Sequence, residues 1–280
     1  MKAERGNLLL VLPALATFAA LFACPFLYFF AISFFSMKSY RMNFTPTLAN
    51  YLHILENNAG TLAFTLALAA VIASLATVLG LIYAYAMRFR FQRQAEALLL
   101  IAVLTLFGGY LMKIYAWKTI LGTQGVLNLG LVGLGLTDQP LAVLLYSPAA
   151  VAITLVNFLL PMAILPIYSS LRGIPDIEIE AARDLGASPL QQLRDVILPR
   201  AAPGLISAFA LCFLISAGDY VTPALVGGTT TTMGSLIAPQ FGSFFNWPLG
   251  AAMSFVMLTL GVAAIFSCTA AVRLAGQLLR

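Results

Sequence analysis

Residues Arg172–Arg200 read RGIPDIEIEAARDLGASPLQQLRDVILPR. Nine of the chain's 25 charged residues fall within these 29 positions, and the flanking sequence is too apolar to meet water. The punctuation is that of helices. Pro175 leads into an acidic turn (Asp176, Glu178, Glu180), which suits the positive end of a helix dipole. Gly186 is a stop, because glycine takes the left-handed conformation without steric cost. Ser188 then supplies an N-cap, with Pro189 at the first helical position and Gln191 at capping-box spacing. Pro199 is expected to close that second helix. The pattern predicts a short helix, a sharp corner and another short helix, held in water between membrane spans. Such a surface is shaped to touch another protein.

Outward from this stretch the chain is 61% hydrophobic and 9% charged, with a mean hydropathy of +0.95. That composition excludes a soluble globular domain. Apolar runs of roughly 20 residues, enough to cross a ~30 Å hydrocarbon core as helix, recur about six times. They lie near 8–35, 61–87, 96–118, 143–171, 201–225 and 249–272. Continuous runs, as opposed to alternating ten-residue segments, argue against a β-barrel. The fold class is all-α, a polytopic membrane protein forming a single transmembrane domain over 1–280.

The first run follows a short charged leader, MKAERGN, and is about twice the length of a signal-peptide core. Leu21-Phe22-Ala23-Cys24 is a faint lipoprotein box, but apolar sequence continues to Phe35, so an uncleaved span kinked at Pro25 is expected. A polar loop, about 36–60, precedes span two, and the basic turn MRFRFQRQ follows it. Placing that turn in the cytoplasm puts both termini and the 172–200 loop there too. Eleven Lys/Arg are then inside (Lys2, Arg5, Arg88, Arg90, Arg93, Arg172, Arg183, Arg194, Arg200, Arg273, Arg280) against four outside (Lys38, Arg41, Lys113, Lys118). This asymmetry sets the topology.

Tyr110, Tyr115 and Trp117 beside Lys113 and Lys118 read as an interfacial aromatic belt or as a ligand-facing cluster. The segment 119–142 reads as an interfacial loop or half-helix. In span four, Asn157 reads as a bond to a neighbouring helix before a ligand contact, and Pro161 and Pro166 free carbonyls that others must satisfy. Asp219 is the one charged residue between Arg200 and Arg273. A carboxylate in a span costs about 2.5–3.5 kcal/mol on insertion scales, so it must face protein or water. Three readings stand side by side: a structural cap near Gly218 and Pro223, a cation-binding surface with Tyr220 alongside, or a proton relay. The uncharged aromatic loop before span six reads as a short helix dipping into the membrane, as a gate or as an anchor.

Other chemistry lacks support. Three isolated cysteines (Cys24, Cys212, Cys268) and one histidine, His53, give no metal site or disulfide framework. The chain has no phosphate-cradling loop and no nucleophile–base pair, so it reads as a non-enzyme with no cofactor of its own. A net charge of +5 calls for no nucleic-acid partner. One buried ionisable group is too few for a self-sufficient ion-coupled carrier.

Glu180-Ala181-Ala182, Gly186 after three residues, and Val196-Ile197-Leu198-Pro199 after nine more resemble the EAA motif of ABC importer permeases. The departure is Val196, where isoleucine is usual. GGYLMKIYAWKTILGTQGVLN, LLPMAILPIYSSL, GDYVTPALVGG and NWPLGAA, in that order, resemble the permeases of spermidine/putrescine importers, and in particular the first of their two permease subunits. The resemblance implies a type I ABC importer permease fold in a bacterial inner membrane, with 172–200 as the cytoplasmic coupling loop. It implies docking through Glu180, Ala181, Ala182 and Gly186 on a separate ATPase that carries the ATP and magnesium. Implied partners are two ATP-binding subunits, a second and different permease, an extracytoplasmic substrate-binding protein and membrane lipid. Asp219, Tyr220, Trp117 and Tyr115 are the candidate path residues for a polyamine. Permeases of opines, thiamine, phosphonates and ferric iron share much of the pattern.

Overall fold

Small side chains at three- and four-residue spacing decide which helices pack. The computed structural model describes residues 12–38 and 41–278, with side-chain environments through 270. The inner cations Lys2, Arg5 and Arg280, and the side chain of Arg273, lie outside what it describes. In chain order the elements are α1 (Leu12–Ile32), β1 (Ser36–Lys38), β2 (Arg41–Asn43), α2 (Ala49–Asn57), α3 (Ala59–Tyr85), α4 (Ala95–Phe107), α5 (Tyr110–Leu121), α6 (Val126–Gly133), α7 (Pro148–Arg172) and α8 (Asp176–Asp184). They continue with α9 (Pro189–Gly218), α10 (Val221–Val226), α11 (Met233–Gly242) and α12 (Trp247–Leu278). Packing divides them into two compact units, one of Thr61–Ser235 with Leu260 onward, the other of the chain to Gly60 with Leu236–Thr259.

The larger unit is built on α7 and α9. The buried face of α9 is Ala201, Gly204, Ala208, Cys212 and Ser216, a stripe of small residues that lets backbones approach. It meets α7 along Leu159, Pro166 and Ser170: Cys212 Sγ lies 3.9 Å from the Leu159 carbonyl oxygen, and Gly204 lies against Pro166 and Ser170. At Gly204 the approach is so close that a Cβ would sit 2.5 Å from the Pro166 carbonyl oxygen. A second small stripe, on α3 (Ala69, Ala73, Ala76, Gly80, Ala84), joins them: Gly80 lies against Ala163, and Ser216 Oγ reaches the Ala69 carbonyl at 3.5 Å. Beside this, Met87, Ala95, Ala102 and Ile164 form a core, with Tyr83 donating to the Leu98 carbonyl.

In the smaller unit the phenylalanines of α1 stack at four-residue spacing (Phe18, Phe22, Phe26), and Phe26 and Phe30 pack edgewise on Phe255. The segment expected as a polar loop is ordered. Strands β1 and β2 pair antiparallel, Ser36 opposite Asn43 and Lys38 opposite Arg41. Helix α2 is pinned by Asn50, which donates to the carbonyls of Ser33 and Phe35. Side chain–backbone bonds of this kind carry little sequence periodicity.

Among the described residues five helices are long and apolar enough to span a membrane, and six if one bent pair counts as a span. That pair corrects the expectation of a continuous helix over 96–118. The chain turns by 94° between α4 and α5, because Gly108 and Gly109 are both extended. Span five is corrected as well. Pro199 does not close a short helix; α9 runs unbroken from Pro189 to Gly218. A π-turn over Gln192–Ile197 ends with Leu198 bonding the Leu193 carbonyl, so Pro199, with no N–H, follows where the bonding register has already shifted. Pro25 is accommodated in the same way by the π-turn Ala19–Ala23. Asn157 also differs from expectation. It is exposed on α7 and bonds no neighbouring helix among the described residues.

Gly204→Ala should therefore lower the thermal midpoint of the purified protein, a loss of about 1–3 kcal/mol for overpacking. Gly130→Ala, where a Cβ meets nothing within 4 Å, is the control. Equal midpoints for the two variants would refute the close α7–α9 approach.

Candidate functional site

The charged loop folds as its punctuation dictates. Pro175 is extended and starts α8, with Asp176 and Glu178 in the first turn. Gly186 ends it at φ +82°; Gly186 N–H bonds the Arg183 carbonyl and Ala187 N–H that of Ala182, the paired bonds of a Schellman motif. Ser188 opens α9 with a full capping box, its side chain accepting from Gln191 N–H while the Gln191 side chain accepts from Ser188 N–H.

Helix α8 has two unlike faces. Ile177, Glu180, Ala181, Asp184 and Leu185 recur at helical spacing and all are exposed. Ile177 is 72% exposed, Leu185 89%, and Leu190 just beyond the corner 73%. Glu178, Ile179 and Ala182 on the other face are partly covered. Glu178 takes a two-pronged bond from Arg200, at 3.0 Å from Nε and 2.5 Å from Nη2. Arg88, at the end of the α3 span, donates to the Ile174 carbonyl (3.2 Å) and to Asp176 Oδ1 (2.5 Å). The 86–94 turn and the 172–200 loop therefore share one end of the larger unit. Of the four sequence-derived residues, Glu180 and Ala181 lie on the open face, Ala182 is half-covered, and Gly186 makes the corner.

At the far end of α9 the helix breaks at Asp219, which is extended (ψ 129°). Its carboxylate is fully engaged. Oδ1 accepts from the Tyr110 hydroxyl at 2.6 Å and from Val221 N–H at 3.1 Å, and Oδ2 accepts from Thr222 N–H at 3.3 Å. Since the Tyr110 proton is spent on Asp219, Thr222 Oγ1 donates to the Tyr110 oxygen at 2.8 Å. The Tyr110 ring packs on Phe158, centroids 4.7 Å apart, and Lys113 Nζ sits 5.4 Å from the centroid of the Phe158 ring. Asp219 thus caps α10 and ties α9 to α5 and α10.

The structure brings Tyr110, and not Trp117 or Tyr115, to Asp219. Tyr115 is exposed and Trp117 half-buried on α5, and neither bonds Asp219 among the described residues. Tyr220 follows Asp219 and is 50% exposed. Sequence reasoning read Tyr110 as part of an interfacial belt or of a ligand-facing cluster. It missed Tyr110 and Thr222 as partners of the carboxylate, and Arg88 and Arg200 as partners of α8. The signals were present in the lone tyrosine after Gly108-Gly109 and the arginines bracketing the acidic turn, but nothing local pairs them.

Comparison with known proteins fits this architecture. The spermidine/putrescine transport system permease protein PotB of Escherichia coli is 35% identical over 213 residues, covering 75% of this chain and 77% of that protein. PotB of Haemophilus influenzae is 31% identical over 245 residues, 86% of this chain and 85% of that one. A bacterial ABC transporter that imports alginate superposes with a TM-score of 0.72 at 14% identity, over 97% of this chain and 96% of its counterpart. The model for "binding-protein-dependent transport system inner membrane component" matches residues 96–279. With that match over most of its length, and relatives above 30% identity along three quarters of it, this chain belongs to the family of inner-membrane permeases of binding-protein-dependent transport systems.

Proposed function

We propose that the chain is the permease subunit of an ATP-driven polyamine importer, forming part of the substrate path and taking its driving force from a separate ATPase at the α8 corner. The open face of α8 carries this reading. A membrane protein that leaves Ile177, Leu185 and Leu190 bare at the end of its bundle, interleaved with Glu180 and Asp184, holds an apolar and acidic surface for a partner. The family is one of transport components, and the relatives named for spermidine and putrescine support the cargo. Two ATP-binding subunits, a second permease and an extracytoplasmic binding protein complete the assembly in this reading. ATP and magnesium stay with the ATPase.

The end of the larger unit that holds α8 also holds Arg88, Arg90, Arg93, Arg172, Arg183, Arg194 and Arg200. Positive charge concentrates on the cytoplasmic side of a membrane, so we infer that this end, with both termini, faces the cytoplasm. Asp219 then lies toward the outer face. A polyamine is flexible and multiply charged, and carboxylate and aromatic faces suit it. Asp219 with half-exposed Tyr220, and Tyr115 and Trp117 on α5, are the proposed contacts. An arriving ammonium would take the place of the Tyr110 hydroxyl on Oδ1, while the two backbone donors hold the carboxylate in place.

Two experiments test the reading. In the reconstituted complex, Glu180→Lys should abolish stimulation of ATP hydrolysis by loaded binding protein while membrane insertion is unchanged; normal stimulation removes α8 as the docking element. Asp219→Asn keeps an acceptor oxygen for Tyr110 and Val221 but loses the charge, so uptake of a labelled polyamine should fall at least about tenfold, equivalent to about 1.4 kcal/mol. Tyr110→Phe should do the reverse, destabilising the protein by about 1 kcal/mol with uptake within about twofold of wild type. Parallel losses in the two variants would leave Asp219 a purely structural cap.

A further inference from the structure

An acidic helix on a loop needs only its open face to dock, yet the closed face of α8 carries two ion pairs. Arg200 grips Glu178 with both Nε and Nη2, a planar fork that fixes orientation as well as distance. Arg88 bonds Asp176 and, through the same Nη2, the backbone carbonyl of Ile174. Its side chain is only 14% exposed, and its guanidinium lies 5.3 Å from the Phe89 ring centroid. Neighbouring Met87 is fully buried in the core with Ala95, Ala102 and Ile164. Ile174, between α7 and α8, is buried too. The two arginines belong to different spans: Arg88 lies near the end of the span of α3, and Arg200 in the first half of α9.

We propose that Arg88 and Arg200 are positioning residues that brace α8 against two spans, so that a push on its open face moves α3 and α9 together and is not absorbed by the loop. The inference rests on α8 being the docking element. Without the braces, α8 would hang from its neighbours by Gly173–Pro175 on one side and Leu185–Ala187 on the other, and the second of these contains the left-handed Gly186. Such a connection transmits displacement poorly. Glu178 and Asp176 thereby have a different task from Glu180: half-covered Glu178 and the more exposed Asp176 are each held by an arginine of the chain itself, while Glu180 is exposed. The braces are partly solvated, and each such pair contributes little to stability. Their effect is therefore expected in coupling and not in folding.

The test uses the whole importer in proteoliposomes, comparing polyamine taken up per ATP hydrolysed and recovery of the ATPase on the permease. Arg200→Glu and Glu178→Arg singly should each lower the uptake-to-hydrolysis ratio by at least about threefold, the scale of one partly exposed ion pair, with ATPase recovery unchanged. The double swap, Glu178→Arg with Arg200→Glu, should restore at least half of the ratio. Arg200→Lys keeps the charge but loses the fork and should fall between. Arg88→Gln should repeat the single-variant loss. Wild-type ratios in the single variants, or a double swap no better than either single, would overturn the bracing role. Glu180→Lys in the same assay separates the two claims: if it leaves coupling intact, the docking reading fails and the brace with it. If it uncouples while Arg200→Glu does not, only the brace fails.

Discussion

The close contact between α7 and α9 is the constraint on which the larger unit depends. Apolar side chains gain nothing by leaving lipid for protein, so helices in a membrane associate through packing, and packing at short range needs small residues. The stripe Ala201, Gly204, Ala208, Cys212 and Ser216 meets that need along the second half of α9. The same α7 receives α3 through Gly80 and Ala163. Because α7 and α9 flank the charged loop directly, their pairing fixes the separation of its two ends, and α8 with its corner fills the gap. At the other end of the same pair, the break after Gly218 places Asp219 between α9 and α10. One helix contact thus positions both candidate sites.

Backbone polarity governs the irregular places. Hydrocarbon offers no partner to a free N–H or carbonyl, so a membrane helix breaks only where side chains or shifted bonds take over. Asp219 supplies acceptors to two N–H groups at the start of α10. Asn128 does the same around α6, donating to the carbonyls of Gly122 and Leu141 and accepting from Leu141 N–H. Prolines 25 and 199 sit immediately after π-turns, where the wider register has already displaced the bond that proline cannot make.

What the sequence made legible follows from this division. Features whose physics is local were readable: the apolar runs, the Gly186 corner, the Ser188–Gln191 box, the acidic first turn of α8. Their determinants lie within four residues of their effects. Pro199 misled because the rule that proline ends a helix ignores a π-turn upstream, and nothing in QLRDVI announces one. Gly108-Gly109 was on view, but apolar sequence on both sides made a span look continuous across a 94° turn. Asp219 was singled out by its charge, whereas its principal partner, Tyr110, lies 109 residues away. Asn157 was expected to glue helices by its depth alone; which face of α7 it occupies is decided by Thr154, Leu155 and Leu159, whose burial turns it outward.

Helix α9 also bears on how the two ends could communicate. From Arg200 to Asp219 it rises about 28 Å at 1.5 Å per residue, close to the thickness of a hydrocarbon core. The π-turn lies before Arg200, so the segment between the two charged residues is regular helix with a single internal proline, Pro203. A regular helix is stiff along its axis. A shift delivered to Glu178 and carried by Arg200 would travel along this one helix toward Asp219, whose bond to Tyr110 ties α9 to α5. The carboxylate has two further donors on α10, so releasing Tyr110 would separate α5 from α10 without unmaking the cap. A path that opens at one bond while its walls keep their own hydrogen bonding is compatible with the hydrocarbon around it; one that had to free backbone groups would not be.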